Sequence, residues 1–235
     1  MNKRIDAILF DKDGTLVDYA LTWQPINRRA GECAARGDGV LYERLMEKLG
    51  GDPATGRAAT GSLLAWGNTA QIARAFVEAG APWKHFDLTK ELDRIFLAGA
   101  AGAAPVCDLG ALFASLAGRG VALGIASADN EAACWALADM FAMRAHLSFV
   151  AGYDSGLRSK PFPDMARAFC ERLGVSAENI AVIGDNVTDI EMGRAAGAGL
   201  CVGVMTGTGE RKALEAVADI VIDSVASLEA TLFPR

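Results

Sequence analysis

Short apolar runs that alternate with helix-patterned segments constrain this chain more than any other feature. The runs are AILF at 7, VALGIAS at 121, LSFVA at 147, IAVIGD at 180, LCVGV at 200 and DIVID at 219. Amphipathic stretches near 108–118, 130–142, 163–173, 187–196 and 210–217 separate the later runs. Strands that read as continuous apolar runs are buried on both faces, and a helix between successive strands makes their pairing parallel. The expectation is an α/β fold, a Rossmann-like parallel sheet core with helices on both faces, built from residues 1–17 and 101–235. A chain of 235 residues with 51% hydrophobic content has enough core for such a domain and a smaller insert.

Between the first run and residue 104 the periodicity becomes helical. Helices are predicted at about 21–36, 40–49, 69–80 and 87–98, with a polar, Gly-rich loop GGDPATGRAATGS at 50–62. Residues 18–100 are therefore predicted to form a helical cap domain inserted after the first strand, leaving near Val17 to Ala20 and returning through AGAAGAAP at 98–105.

The net charge is −6, and Lys and Arg are scattered singly or in pairs, so no basic run is present to neutralise a nucleic-acid backbone. The apolar stretch near the N-terminus is broken by Asp6 and ends at Asp11, too short for a secretory or membrane-spanning segment, and the chain reads as cytoplasmic. Five widely spaced cysteines without C-x-x-C read as reduced thiols. With only His85 and His146 in the chain, catalysis has to rest on carboxylates.

Ligands of open parallel sheets bind outside the carboxyl ends of the strands. After AILF come Asp11 and Asp13, then Gly14, which permits a sharp turn. After VALGIA comes Ser127, followed by Ala128, Asp129 and Asn130 at a predicted helix start. The loop after LSFVA delivers Lys160 between Ser159 and Pro161, and after IAVI come Gly184, Asp185 and, four residues on, Asp189. Each of these residues alone has a structural explanation as a helix cap, a dipole partner or a surface charge. Together they put four carboxylates at strand ends, and converging carboxylates call for a hard divalent ion with oxygen ligands, Mg2+.

DKDGTLVD, Ser127, Lys160 in RSKPFPD and GDNVTD at 184–189 resemble the four motifs of the haloacid dehalogenase superfamily, in order and across nearly the whole chain. The helical insert resembles the C1-capped branch, and GYDSGLRSKPFPDM and GRAAGA look most like the phosphoglycolate phosphatase group. The resemblance implies an aspartyl-phosphate mechanism with Asp11 as nucleophile and Asp13 as general acid and base. It implies Mg2+ held by the Asp11 carboxylate, the Asp13 carbonyl and the Asp185 carboxylate, with Asp189 supporting through water or through Lys160. Ser127 and the backbone at Ala128 would bind phosphoryl oxygens, and Lys160 would offset their charge. Superfamily members that break carbon–halogen bonds usually lack an acid at the position of Asp13.

The expected substrate is a small phosphomonoester, 2-phosphoglycolate first among them, acted on by a monomer or homodimer. The 55–69 loop is the expected reader of the leaving group: Arg57 for a carboxylate, with Ser62, Trp66, Asn68 and Thr69 shaping a pocket, unless Leu63, Leu64 and Trp66 are simply cap core. A phosphosugar mutase uses the same motifs, and a phosphonate hydrolase would need a cap lysine, for which Lys48 or Lys84 is available. A signalling receiver domain, a switch and not an enzyme, also combines strand-end acids, a Ser/Thr and a Lys, but it is about half this length and has no helical insert. GTG at 207–209 has neither a P-loop nor a dinucleotide-binding surround.

Overall fold

Ala7, Ile8, Leu9 and Phe10 form the first strand, β1, and all four are fully buried because β1 lies in the middle of the sheet. Ile8 and Phe10 enter one apolar layer and Ala7 and Leu9 the other, as a period of two requires. The computed structural model describes residues 4–234; the basic tip at residues 1–3 lies outside them.

After β1 the chain runs through α1 (Tyr19–Ala35), α2 (Gly39–Lys48), α3 (Leu63–Trp66), α4 (Thr69–Glu78) and α5 (His85–Gly99). Then come α6 (Leu109–Gly118), β2 (Ala122–Ala126), α7 (Glu131–Met140), β3 (Leu147–Ala151), α8 (Asp164–Leu173), β4 (Ile180–Gly184), α9 (Val187–Ala196), β5 (Leu200–Val204), α10 (Arg211–Val217), β6 (Ile220–Ile222) and α11 (Leu228–Leu232). The six strands are parallel, in the order β3-β2-β1-β4-β5-β6. Residues from α6, α7 and α11 share one layer with the sheet, and residues from α8, α9 and α10 share the other. The expected α/β class, with helices on both faces, is the observed one.

Helices α1 to α5 build a separate apolar cluster in which Ala30, Leu45, Phe76, Leu88 and Leu92 are fully buried. Asp18 starts α1 as its N-cap, its carboxylate accepting from Leu21 N–H at 2.9 Å. The outgoing and returning segments run side by side: Asp18 N–H donates to Ala104 O at 2.8 Å and Val106 N–H to Leu16 O at 3.1 Å. The 55–69 segment differs from expectation, because Leu63–Trp66 is a short helix anchored by the buried Leu64 and not open loop. None of the five cysteines is in a disulfide. Among the described residues, no helix is long and apolar enough to cross a membrane.

Candidate active site

Strand order decides what meets at the site. β1 pairs with β2 on one side and β4 on the other, with Phe10 level with Ile125 and Ile183. Asp11 comes one residue past that level, and Ser127 and Asp185 two residues past it. This is where the strand order reverses, the place where open α/β sheets keep their ligand clefts.

Lys160 Nζ lies 2.5 Å from Asp11 Oδ1 and 2.6 Å from Asp189 Oδ1, so one buried ammonium ties the loop after β3 to the ends of β1 and β4. Burial opposes its charge, but Asp11 and Asp189 more than offset that and push its pKa well above the ordinary lysine value. Pro161 and Pro163 intervene between Lys160 and α8, which begins only at Asp164, and the Lys160–Pro161 bond is cis. Asp185 Oδ2 accepts from Thr208 N–H at 2.8 Å, and Asp189 Oδ2 accepts from Asn186 N–H at 3.0 Å.

Oxygens of Asp11, Asp185 and Asp189 lie within 4.8 Å of one another, and all three residues are buried. Burial raises the Asp11 carboxyl against the opposing pull of Lys160. Burial, then Asp11 and Asp189, raise Asp185 well above the carboxylate range. Asp11 Oδ2 is buried with no hydrogen-bond partner. Crowded carboxylates with an unpartnered oxygen are a donor set that fits a hard divalent cation. The Asp13 carboxylate stands apart from this cluster. It pairs with Lys12 Nζ at 2.6 Å, and Lys12 also reaches Asp129 at 3.2 Å. Ser127 Oγ accepts from Asp129 N–H at 3.1 Å, while Asn130 caps α7.

Asp11, Asp13, Ser127, Asp129, Lys160, Asp185 and Asp189 line one cleft of about 550 Å³, its open mouth included, whose far wall comes from α1, α3, α4 and α5 and includes Trp66 and Thr69. Asn68 caps α4 and donates through Nδ2 to Ser159 Oγ at 3.1 Å, beside Lys160. Arg57 is not brought to the cleft: it is exposed, near Asp52. Ser62 and Lys48 line a different hollow, with Glu47 and Glu78, and Lys84 is absent from the cleft lining.

Several residues that shape the site are not apparent from the motifs. Lys12 is 3% exposed although it lies between two aspartates, because the chain bends after Phe10 and turns this side chain toward Asp129. Asp93 of α5 accepts from Tyr153 Oη at 2.9 Å and from Asn130 Nδ2 at 3.2 Å, joining the helices to the strand-end loops. GTG at 207–209 packs against Asp185: a Cβ on Gly207 would lie 1.8 Å from Asp185 Oδ2, and one on Gly209 1.9 Å from Asp185 O. Gly207→Ala is therefore expected to displace the Asp185 carboxylate and lower kcat/KM by about 10- to 100-fold, as the loss of a ligand's supporting contact does. Steady-state kinetics with a Mg2+ titration check it.

The model of the haloacid dehalogenase-like hydrolase family matches residues 5–197. A phosphoglycolate phosphatase of Chromobacterium violaceum is 32% identical over 92 residues, 39% of this chain and 40% of that protein, so the aligned part spans less than half of that relative. An N-acetylmuramic acid 6-phosphate phosphatase of Pseudomonas aeruginosa is 25% identical over 195 residues, 83% of this chain and 79% of that one. Among solved structures, CbbY from Rhodobacter sphaeroides in complex with phosphate superposes with a TM-score of 0.70 at 24% identity, covering 95% of this chain and 96% of that one, a likeness of fold.

Proposed function

The chain belongs to the haloacid dehalogenase-like hydrolase family, and on that premise we propose that it hydrolyses a small phosphomonoester through an aspartyl phosphate on Asp11, with Mg2+. The observation that carries this reading is the state of Asp11: Lys160 fixes its Oδ1 while Oδ2 is buried and unpartnered, an anchored nucleophile with one oxygen uncommitted. The curated relatives named above are phosphatases, which supports the same class. The receiver-domain alternative is set aside by the family match.

In the first half-reaction an Asp11 oxygen forms a bond to phosphorus as the bond from phosphorus to the leaving oxygen breaks, and Asp13 gives that oxygen a proton. In the second, the Asp13 carboxylate takes a proton from water, whose oxygen displaces Asp11 and releases inorganic phosphate. Lys12, itself paired with Asp129, holds Asp13 for this work through an ion pair. The Ser127 hydroxyl and the backbone N–H at Ala128 serve as donors to phosphoryl oxygens, and Lys160 offsets their charge. Asp11 and Asp185, with the Asp13 carbonyl, would hold Mg2+, and Asp189 supports them through Lys160. Bound there, the ion supplies the positive charge that lets a carboxylate approach a phosphate dianion. Helices of the 18–100 region cover the cleft as a cap and exclude bulk water.

The proton donor gives a test within the reaction. Asp13→Asn is expected to lower alkyl phosphate turnover by about 10²- to 10⁴-fold, the usual worth of general acid–base catalysis. Aryl phosphates, whose leaving groups need no proton, should still phosphorylate Asp11 and give a burst. Equal loss of the phosphorylation step for both ester types, followed by rapid quench, would remove Asp13 from the acid role. The class as a whole is tested by Mg2+-dependent phosphate release from p-nitrophenyl phosphate by the purified protein.

A further inference from the structure

Resting on the phosphatase reading above, we infer that the leaving group is an uncharged alcohol with an apolar face, and that a leaving group bearing a carboxylate is disfavoured. The cleft wall opposite the aspartates is built from Trp23, Leu64, Trp66, Ile72 and Phe96. Trp23, Leu64, Ile72 and Phe96 are buried in one cluster, and Trp66 is half-buried. Trp23 meets Phe96 edge-on with ring centroids 5.0 Å apart and stacks on Tyr19 at 6.1 Å. The Tyr19 hydroxyl donates to Leu64 O at 2.9 Å, and Trp66 Nε1 donates to Gly61 O at 3.3 Å. The polar groups of this wall, the Thr69 hydroxyl among them, are all neutral.

Charge gives the second half of the argument. The cleft is lined by five carboxylates, of Asp11, Asp13, Asp129, Asp185 and Asp189, and among the described residues Lys160 is its one cationic side chain. Both lysines of the site are engaged, Lys160 with Asp11 and Asp189, and Lys12 with Asp13 and Asp129. A divalent ion and Lys160 serve the phosphoryl group, so a further carboxylate on the leaving group would enter a cleft already crowded with carboxylates and with no cation left to face it. Arg57, the residue the sequence offers for that purpose, is on the exposed surface. An uncharged alcohol loses little water on entry, and its apolar face gains the aromatic wall.

The test compares kcat/KM of the Mg2+-loaded protein for 2-phosphoglycolate with that for isobutyl phosphate, in which two methyl groups replace the carboxylate oxygens, and for benzyl phosphate. The expected result is at least tenfold higher kcat/KM for both neutral esters. Trp66→Arg, which adds a cation to the wall, is expected to raise 2-phosphoglycolate against isobutyl phosphate. A wild-type preference for 2-phosphoglycolate would overturn the inference and leave the phosphatase reading standing. Folded, Mg2+-loaded protein that hydrolyses none of these esters nor p-nitrophenyl phosphate would overturn both.

Discussion

Asp11→Asn is expected to abolish phosphate release, with kcat falling by about 10⁴-fold or more, as loss of a covalent nucleophile does elsewhere, while the fold is retained. The amide keeps the shape of the carboxylate, so the backbone bond from Asp11 N–H to Ile183 O at 2.8 Å and the burial of the strand end are preserved. What is lost is the anion that attacks phosphorus. The partner of that anion changes too, because Lys160 keeps Asp189 but exchanges a second carboxylate for a neutral oxygen. Circular dichroism matching the wild type, together with phosphate release at background, is the expected pair of results. Wild-type turnover in the folded variant would remove Asp11 from the mechanism.

Asp185→Asn is expected to move activity and metal-free stability in opposite directions. Activity should fall by more than about 100-fold, since even partners that merely support a metal ligand cost up to that much. Stability of the metal-free protein should rise, because burial and the neighbouring Asp11 and Asp189 make the ionised form of Asp185 costly. The sign follows from proton counting. A carboxyl whose folded pKa lies above its ordinary value of 3.8 holds more protons folded than unfolded between the two values, so stability falls as pH rises through that window. Mg2+ relieves the repulsion among ionised carboxylates, and it should raise the wild-type Tm more at about pH 7.5 than at about pH 5, where more protons remain on the native cluster. In Asp185→Asn the Mg2+ effect on Tm should largely disappear. Scanning calorimetry with EDTA and with Mg2+ at both pH values measures all of this.

The sheet was legible because its strands are continuous apolar runs, and four of them are followed, directly or through a short loop, by a polar residue with no reason to be buried. Asp11, Ser127, Lys160 and Asp185 could be picked out for that reason, and a parallel sheet then places strand ends together whatever lies between them. The cap was legible only as helices. Nothing local to GRAATG says which way its one arginine points, and Arg57 lies outside the cleft. Leu63–Trp66 escaped notice as a helix because four residues between glycine-rich flanks carry too little periodicity. Lys12 was hidden by its position between two acids, where alternation alone aims it away from the site; the bend that turns it toward Asp129 is a tertiary feature. Asp129, two residues after Ser127, was the available signal, and it reads equally well as a helix-capping acid. GTG at 207–209 matches no phosphate-binding pattern, and its role is packing: Gly207 makes room for the Asp185 carboxylate and Gly209 for the Asp185 carbonyl. C-terminal α11, five residues long, left no sequence signature of its own.

The central claim is covalent, and the most direct measurement is to find the phosphate on the protein. Wild-type enzyme with Mg2+ is mixed with an excess of aryl phosphate, quenched in acid within the burst, reduced with borohydride and digested for peptide mass spectrometry. Acyl phosphates are reduced to the alcohol, so Asp11 in the ILFDKDGTLVD peptide should be recovered as homoserine, with Asp13 unchanged in the same peptide. Steady turnover with Asp11 unmodified at every quench time, or with the modification on Asp13, Asp185 or Asp189 instead, would contradict the account.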